Sequence, residues 1–468
     1  MKRRTFLNTG FITAATGMVT SGFTVDRLSG EEIPDNGLLQ KLPHHIKLSW
    51  QTAPETSQSV SWRTDAQTPV SYLDFAKATA SPFFTNPESD QKAQGITRIE
   101  STSKSYRADD GLWYYHSVNI SGLKPGTTYT YRVGNGEYWS AWSEFTTVSI
   151  DEKPFKFLYF GDVQRFIISL GSRIIRQALL NCPDASFMVF GGDLVHRGGL
   201  NIGNWNEFFP AGGSAFQNIP MLATPGNHEH LKAASGVDLS PLWALTFCFP
   251  ANGPEGQKGQ TYYVDYKYLR LISLNMNLYK YPDEREKIYN WTKTVLADAR
   301  SKGLWVIVTD HYNMRGLARN RGNELRFPEF KQLFEAYQVP LLLTGHEHVY
   351  GRGRMDAPFP VYVVSVAGPW QNAIKFDSWL ERAGTCLQLF QVIEVEKDVL
   401  HYQSKTVLGE LYDEFWIKKR GNGSLLFEAN EHLGPESLLT PLNFEERYKK
   451  ELVDSYEADK NAYLKRKK

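Results

Sequence analysis

Five short apolar runs, FKFLYFGD, SFMVFGGD, IPMLATPGNHE, LWVIVTDH and VPLLLTGHEH, each break off at small or polar residues and then at a side chain able to hold a metal ion. A continuous apolar run of this length has no polar face, so it fits a strand covered on both sides. The steps of 31 residues from Asp162 to Asp193 and of 34 from Asp193 to Asn227 are about the length of one βαβ unit. Functional groups in such sheets gather at the carboxyl ends of the strands. The pattern predicts an α/β architecture in which Asp162, Asp193, Asn227, His311, His346 and His348 converge on one rim.

The chain has 468 residues and is 41% hydrophobic, enough for more than one core. Lysine plus arginine (52) nearly cancels aspartate plus glutamate (51), so overall charge makes no case for nucleic acid or an anionic membrane as partner. Three dispersed cysteines, Cys182, Cys248 and Cys386, exclude a CxxC zinc knuckle and a dense disulfide framework. Lys2, Arg3 and Arg4 precede an apolar stretch too short to span a bilayer stably, which is the layout of an export signal over 1–23. With Phe6 and Leu7 the arginines resemble the bacterial twin-arginine signal, implying a periplasmic or extracellular protein.

A polar linker (24–38) leads into segments of period-two alternation, IKLSW, SVSWRT, YYHSVNI and YTYRV, expected to form a β-sandwich over 39–149. Within it LKPGTTYTYRVG resembles the fibronectin type III pattern, with Pro125 and Gly126 in the turn and Tyr129 anchoring the next strand. The α/β domain is expected over 153–419, with TYYVDYKYLRLISLN as two strands around a turn and DEREKIYNWTKTVLADARS as a helix. In the tail, 420–468, Phe444, Tyr448, Leu452 and Tyr456 recur every four residues, and Asn443 with Glu446 suggests a capping box. The tail reads as one docked helix.

Mixed oxygen and imidazole donors suit zinc, manganese or iron, and six are too many for one tetrahedral ion. Two divalent ions sharing Asp193 would use them all. The ordered motifs Gly161-Asp162, Gly192-Asp193, Gly226-Asn227-His228-Glu229, Val308 to His311 and Gly345-His346-Glu347-His348 resemble those of the calcineurin-like metallophosphoesterases, and with the sandwich in front, the purple acid phosphatases. The resemblance implies a fold of two packed mixed sheets flanked by helices. It also implies a first ion on Asp162, Asp193 and His348, and a second on Asp193, Asn227, His311 and His346. Such a pair, about 3.5–4 Å apart, activates a bridging hydroxide for in-line attack on phosphorus. His228 would assist the leaving group, with Glu229 orienting its ring.

Two positions depart from the family pattern. Where many members carry a histidine two residues after the first aspartate, this chain has Gln164; where the purple enzymes carry tyrosine in GDxxY, it has His196. Without that phenolate the protein should not be purple. Either His196 or the Gln164 amide oxygen can complete the first site, or neither binds and water completes the shell. GDLVHRG also resembles the GDxVDRG of protein phosphatases, which makes Arg197 the leading candidate for holding substrate phosphate and His196 an outer residue. Arg315, Arg319, Arg321 and Arg326 form either a loop that draws in anions or an ordinary solvated loop. Tyr312 and Asn313 are candidates to line the pocket; Trp205, Trp243 and Trp370 are expected mainly in cores. The leading reading is an exported phosphatase for small phosphate monoesters. Its rivals are a phosphodiesterase or nucleotidase on the same scaffold, and a binding protein with a vestigial site.

Overall fold

Alternation in the N-terminal segments places one face of each strand inward, and in the computed structural model they form two four-stranded antiparallel sheets packed face to face. The structure describes residues 41–81, 95–108, 110–197, 201–233 and 236–467. The signal-like segment 1–23 and the linker 24–38 lie outside the described residues. Tyr129, Tyr131 and Val133 of the strand Thr128–Gly134 point into the sandwich core with Leu48, Val60 and Trp62. The hydroxyl of Tyr129 accepts the backbone N–H of Lys124 at 3.0 Å, tying the strand to the turn before it.

The five apolar runs are all strands, divided between two seven-stranded mixed sheets. Phe155–Phe160, Ala185–Phe190 and Met221–Ala223 pair in parallel at one edge of the first sheet. Leu389–Val395, Val399–Thr406, Leu411–Lys419 and Leu425–Ala429 continue it antiparallel. In the second sheet Leu269–Leu274, Trp305–Asp310, Leu341–Thr344 and Val361–Val364 are parallel neighbours, flanked by antiparallel Tyr262–Tyr266 on one side and by Tyr350–Gly353 and Leu380–Gly384 on the other. The helix Pro282–Ser301 begins with Pro282, Asp283 and Glu284, suited to a helix N-terminus, and buries Ile288, Thr292, Val295, Leu296 and Ala299. Trp291 is only half buried, its indole N–H donating to the carbonyl of Asn252.

The tail differs from the single helix expected over 420–468. Leu425–Ala429 is a strand of the first sheet, and the helical part is broken into Phe444–Arg447, Lys450–Asp454 and Tyr456–Arg466. Asn443 has φ 57° and makes no side-chain cap, so the expected capping box is absent. The break has a packing cause. Tyr448 leaves helical geometry so that its buried hydroxyl accepts the N–H of Ala373 at 2.8 Å, and Arg319 reaches the Leu452 carbonyl, Ser455 and Asp459.

A buried ion pair joins the two large sheets. Arg352, on the second, donates to both oxygens of Asp413, on the first, at 2.9 and 3.0 Å, and Tyr350 donates to the same carboxylate at 2.7 Å. Burial alone would raise the Asp413 pKa, but Arg352 and the Tyr350 hydrogen bond outweigh it and hold it below the usual carboxylate range. Because the folded value lies below the unfolded one, the stabilisation is complete above the ordinary carboxylate pKa and is lost as pH falls through the folded value. Arg352→Ala leaves a buried carboxylate uncompensated, and denaturant unfolding should show a loss of about 3–5 kcal/mol. A loss below about 1 kcal/mol would show that the pair does not bind the sheets together.

Candidate metal centre

The strand ends bring the six predicted donors into one buried cluster. Ligand atoms of Asp162, Asp193 and His348 lie within 4.8 Å of one another, as do those of Asp193, His311 and His346, and Asp193 belongs to both groups. The Asn227 amide oxygen stands 3.2 Å from His311 Nε2, within the second group. The N–H at Nδ1 of His311 donates to the Gly191 carbonyl and that of His348 to the Trp370 carbonyl, which leaves both Nε2 atoms free as ligands. His346 instead turns Nδ1 inward, 3.3 Å from His311 Nε2.

The local backbone is bent to achieve this. Asp193, His346 and His348 have φ of 48°, 69° and 53°, a region costly for residues with side chains. The motif glycines have a steric reason. A Cβ at Gly345 would collide with Asp162 Oδ1, and one at Gly226 with Asp193 Oδ1. Asp162 Oδ1 accepts the N–H of His346 at 2.6 Å and Asp193 Oδ1 that of His228 at 2.9 Å.

Charge accumulates in this space. Burial, opposed by His311 and reinforced by Asp193, raises Asp162 to about 7. Burial would also raise Asp193, but the charge and hydrogen bond of His311 overcome it and hold the group low. Burial lowers His311, yet Asp193 and then Asp162 carry it to about 10, whereas burial leaves His348 at about 3. Asp162 Oδ2 is buried with no hydrogen-bond partner among the described residues. Two dehydrated carboxylates, one oxygen of them unpaired, beside imidazole nitrogens and an amide oxygen are the donor chemistry of a pair of divalent ions, and the residues fit such a pair.

The remaining site residues fall out differently from expectation. Gln164 is inside the cluster, its amide nitrogen 2.9 Å from Asp193 Oδ2 and 3.0 Å from His348 Nε2. His196 is outside it, with Nδ1 3.0 Å from Gln164 Oε1 and its ring 4.9 Å from that of His228. His228 is half buried with Nε2 3.8 Å from Asp193 Oδ2. Glu229 does not orient that ring. Its fully buried carboxylate accepts the backbone N–H groups of Asp193, Val195 and Gly226, at 2.9, 3.3 and 2.7 Å, and burial with Asp193 nearby raises its pKa to about 8. Tyr312 sets its ring 4.5 Å from that of His346 and donates to Asn277, forming a wall of the site. Asn313 is turned into its own loop, donating to the Arg315 carbonyl. Arg197 is exposed, and its backbone N–H is held by Asn204.

Two of the four arginines of the loop are engaged within the fold, while Arg321 is exposed. Arg319 is spent on the tail, and Arg326 pairs with Glu347 at 2.8 Å. Glu347 was not singled out in the sequence as a structural residue. It also accepts the N–H groups of Leu317 and Ala318, fixing the loop. Trp205 and Trp243 are core residues as expected. Trp370 is half exposed, and its carbonyl fixes His348.

Two mixed sheets with a shared carboxylate between two donor groups at their strand ends define the metallophosphoesterase class. The family described as "Purple acid Phosphatase, N-terminal domain" matches residues 43–147, and "Calcineurin-like phosphoesterase" matches 155–350. The chain belongs to the calcineurin-like metallophosphoesterases, of the purple acid phosphatase type. It is 26% identical over 298 residues to acid phosphatase type 7 of Danio rerio, covering 57% of this chain and 63% of that one. It is 25% identical over 391 residues to purple acid phosphatase 23 of Arabidopsis thaliana, covering 74% and 82%. The chain thus spans less than two thirds of the zebrafish relative's length. The fold is shared with a purple acid phosphatase from yellow lupin seeds, TM-score 0.65 at 15% identity over 82% of this chain and 75% of that one. The fibronectin type III likeness extends only to an all-β sandwich of the purple acid phosphatase kind.

Removing Glu229 separates scaffolding from chemistry. Glu229→Ala strands three buried N–H groups and should cost about 3 kcal/mol in denaturant unfolding while lowering bound metal. Full metal content and unchanged stability would return Glu229 to a role on the His228 ring.

Proposed function

We propose that this protein is an exported phosphatase that holds two divalent ions and hydrolyses monoesters of small phosphorylated compounds. The observation that carries the reading is Asp193, shared by two groups of buried donors. Asp162, Asp193 and His348 would hold the first ion and Asp193, Asn227, His311 and His346 the second. When bound, the pair supplies Lewis acidity toward the phosphate ester and an activated water; oxygen and imidazole donors are consistent with zinc, manganese or iron. Export is supported by the signal-like residues 1–23. No helix of the described residues is long and apolar enough to cross a membrane.

The chain's own residues take distinct parts. His228, half exposed beside Asp193, is placed to deliver a proton to the departing oxygen. Tyr312 and the buried arms of His346 and His348 keep water from one side of the ester. Arg197 at the rim offers a bidentate phosphate donor. Gln164, not His196, supplies the remaining donor to the first ion. A half-turn of its amide presents Oε1 to the gap between Asp193 and His348, and leaves the amide N–H groups donating to His196 Nδ1. His196 then orients Gln164.

Metal analysis of reconstituted variants tests these assignments. Asn227→Ala and His346→Ala should each lower metal content from two ions toward one and cut turnover of an aryl phosphate by roughly 100-fold. Unchanged metal and rate in both would defeat the two-ion assignment. His228→Ala should lower kcat by about 100-fold at full occupancy. Gln164→Ala should deplete the first ion more than His196→Ala does, and the reverse order would make His196 the ligand. A matched aryl diester hydrolysed faster than the monoester would replace the phosphomonoesterase reading with a phosphodiesterase one.

A further inference from the structure

Beside the metal centre runs a groove of about 670 Å³ that none of the assigned roles uses. Its walls come from four places: Phe166 just after Gln164, Trp370, the turn carrying Leu408, and the tail residues Leu442 and Arg447. Two of its lining residues are tied to the centre. Gln164, in contact with Asp193 and His348, lies two residues from Phe166, and Trp370 accepts the His348 Nδ1 hydrogen bond through its carbonyl.

Large apolar side chains are held in water here. Phe166 is 64% exposed, Leu408 63% and Leu442 89%, and the three line one concavity. Solvated apolar side chains gathered in one concave surface mark a binding site more often than a plain surface. The backbone that presents Phe166 is contorted: Arg165 and Phe166 have φ of 67° and 50°, in consecutive residues with side chains. Two cations flank Trp370 in the groove wall. Arg165 lies over one ring face of Trp370 at 3.9 Å and Arg447 stacks on the same indole at 4.6 Å. Among the lining residues Arg173 and Arg447 face a single carboxylate, Glu410.

A groove with exposed apolar walls and two arginines against one carboxylate, next to a phosphate-handling centre, matches one ligand shape, an anionic head on an apolar body. We propose that the groove binds the leaving group of the substrate, and that the substrates are phosphate monoesters of apolar alcohols with an alkyl chain of several carbons. The proposal rests on the phosphatase reading for the hydrolysis but not for the binding. Leu442 and Arg447 fall outside the residues matched by either family, 43–147 and 155–350.

Straight-chain alkyl phosphates from ethyl to octyl isolate the effect, since their alcohols are nearly equal as leaving groups and differ in buried length. On the metal-loaded enzyme kcat/KM should rise by at least about tenfold from ethyl to octyl phosphate. Leu408→Asp and Leu442→Asp, at exposed positions, should each flatten that rise by about threefold or more. Calorimetric titration with ethylphosphonate and octylphosphonate reads the groove without turnover. Octylphosphonate should bind more tightly, with the difference reduced in Leu442→Asp. Turnover of all chain lengths at equal kcat/KM, or a rise unaltered in both variants, overturns the groove. An inactive protein that prefers octylphosphonate overturns the phosphatase reading and keeps the groove.

Discussion

Buried carboxylates that accept backbone N–H groups from neighbouring loops hold this centre in shape. Asp162 takes the N–H of His346, Asp193 that of His228, and Glu229 those of Asp193 and Val195 as well as of Gly226 in its own loop, so three of the loops are fastened by an acid from another. Charge-assisted bonds of this kind are short and directional. They fix the loops to within the tolerance that metal ligation demands, and they concentrate negative charge where no water can screen it. Glu347 extends the same device outward, to Leu317 and Ala318. Loss of any one carboxylate therefore loosens a loop other than its own.

Much of this was legible in the sequence because the ends of apolar runs are informative. A strand buried on both faces carries a charged side chain only where a partner is buried with it, so a polar residue directly after an apolar run marks the end of a strand. All six expected donors were found that way. The division of the five strands between two sheets was left open by run length alone, since strand partners are set by long-range pairing. Glu229 was misassigned because its neighbour in sequence, His228, is not its neighbour in space. The tail misled for a similar reason. Its four-residue spacing satisfies helical periodicity, but Tyr448 and Arg319 make separate anchors that override local preference.

The two departures from the family pattern have a common resolution in the geometry. Gln164 occupies the space between Asp193 and His348, and His196 stands behind it, so replacements at two sequence positions act as a single hydrogen-bonded unit. An amide carries no charge, whereas the phenolate of the purple enzymes does. The first ion would therefore sit in a less negative shell, which suits a divalent rather than a trivalent metal.

The segment 370–373 is gripped from both sides. Asn372 bonds the backbone of Glu347 and His348, while Arg447 donates to the Gln371 carbonyl and the Asn372 side chain, and Tyr448 receives Ala373. Arg447 and Tyr448 leave the ribosome about 100 residues after His348. A nascent chain can form both sheets and gather every donor, yet it lacks the clasp behind His348 until nearly all of the described sequence has emerged. A chain cut short before residue 447 would carry all six donors without the part that holds one of them in register.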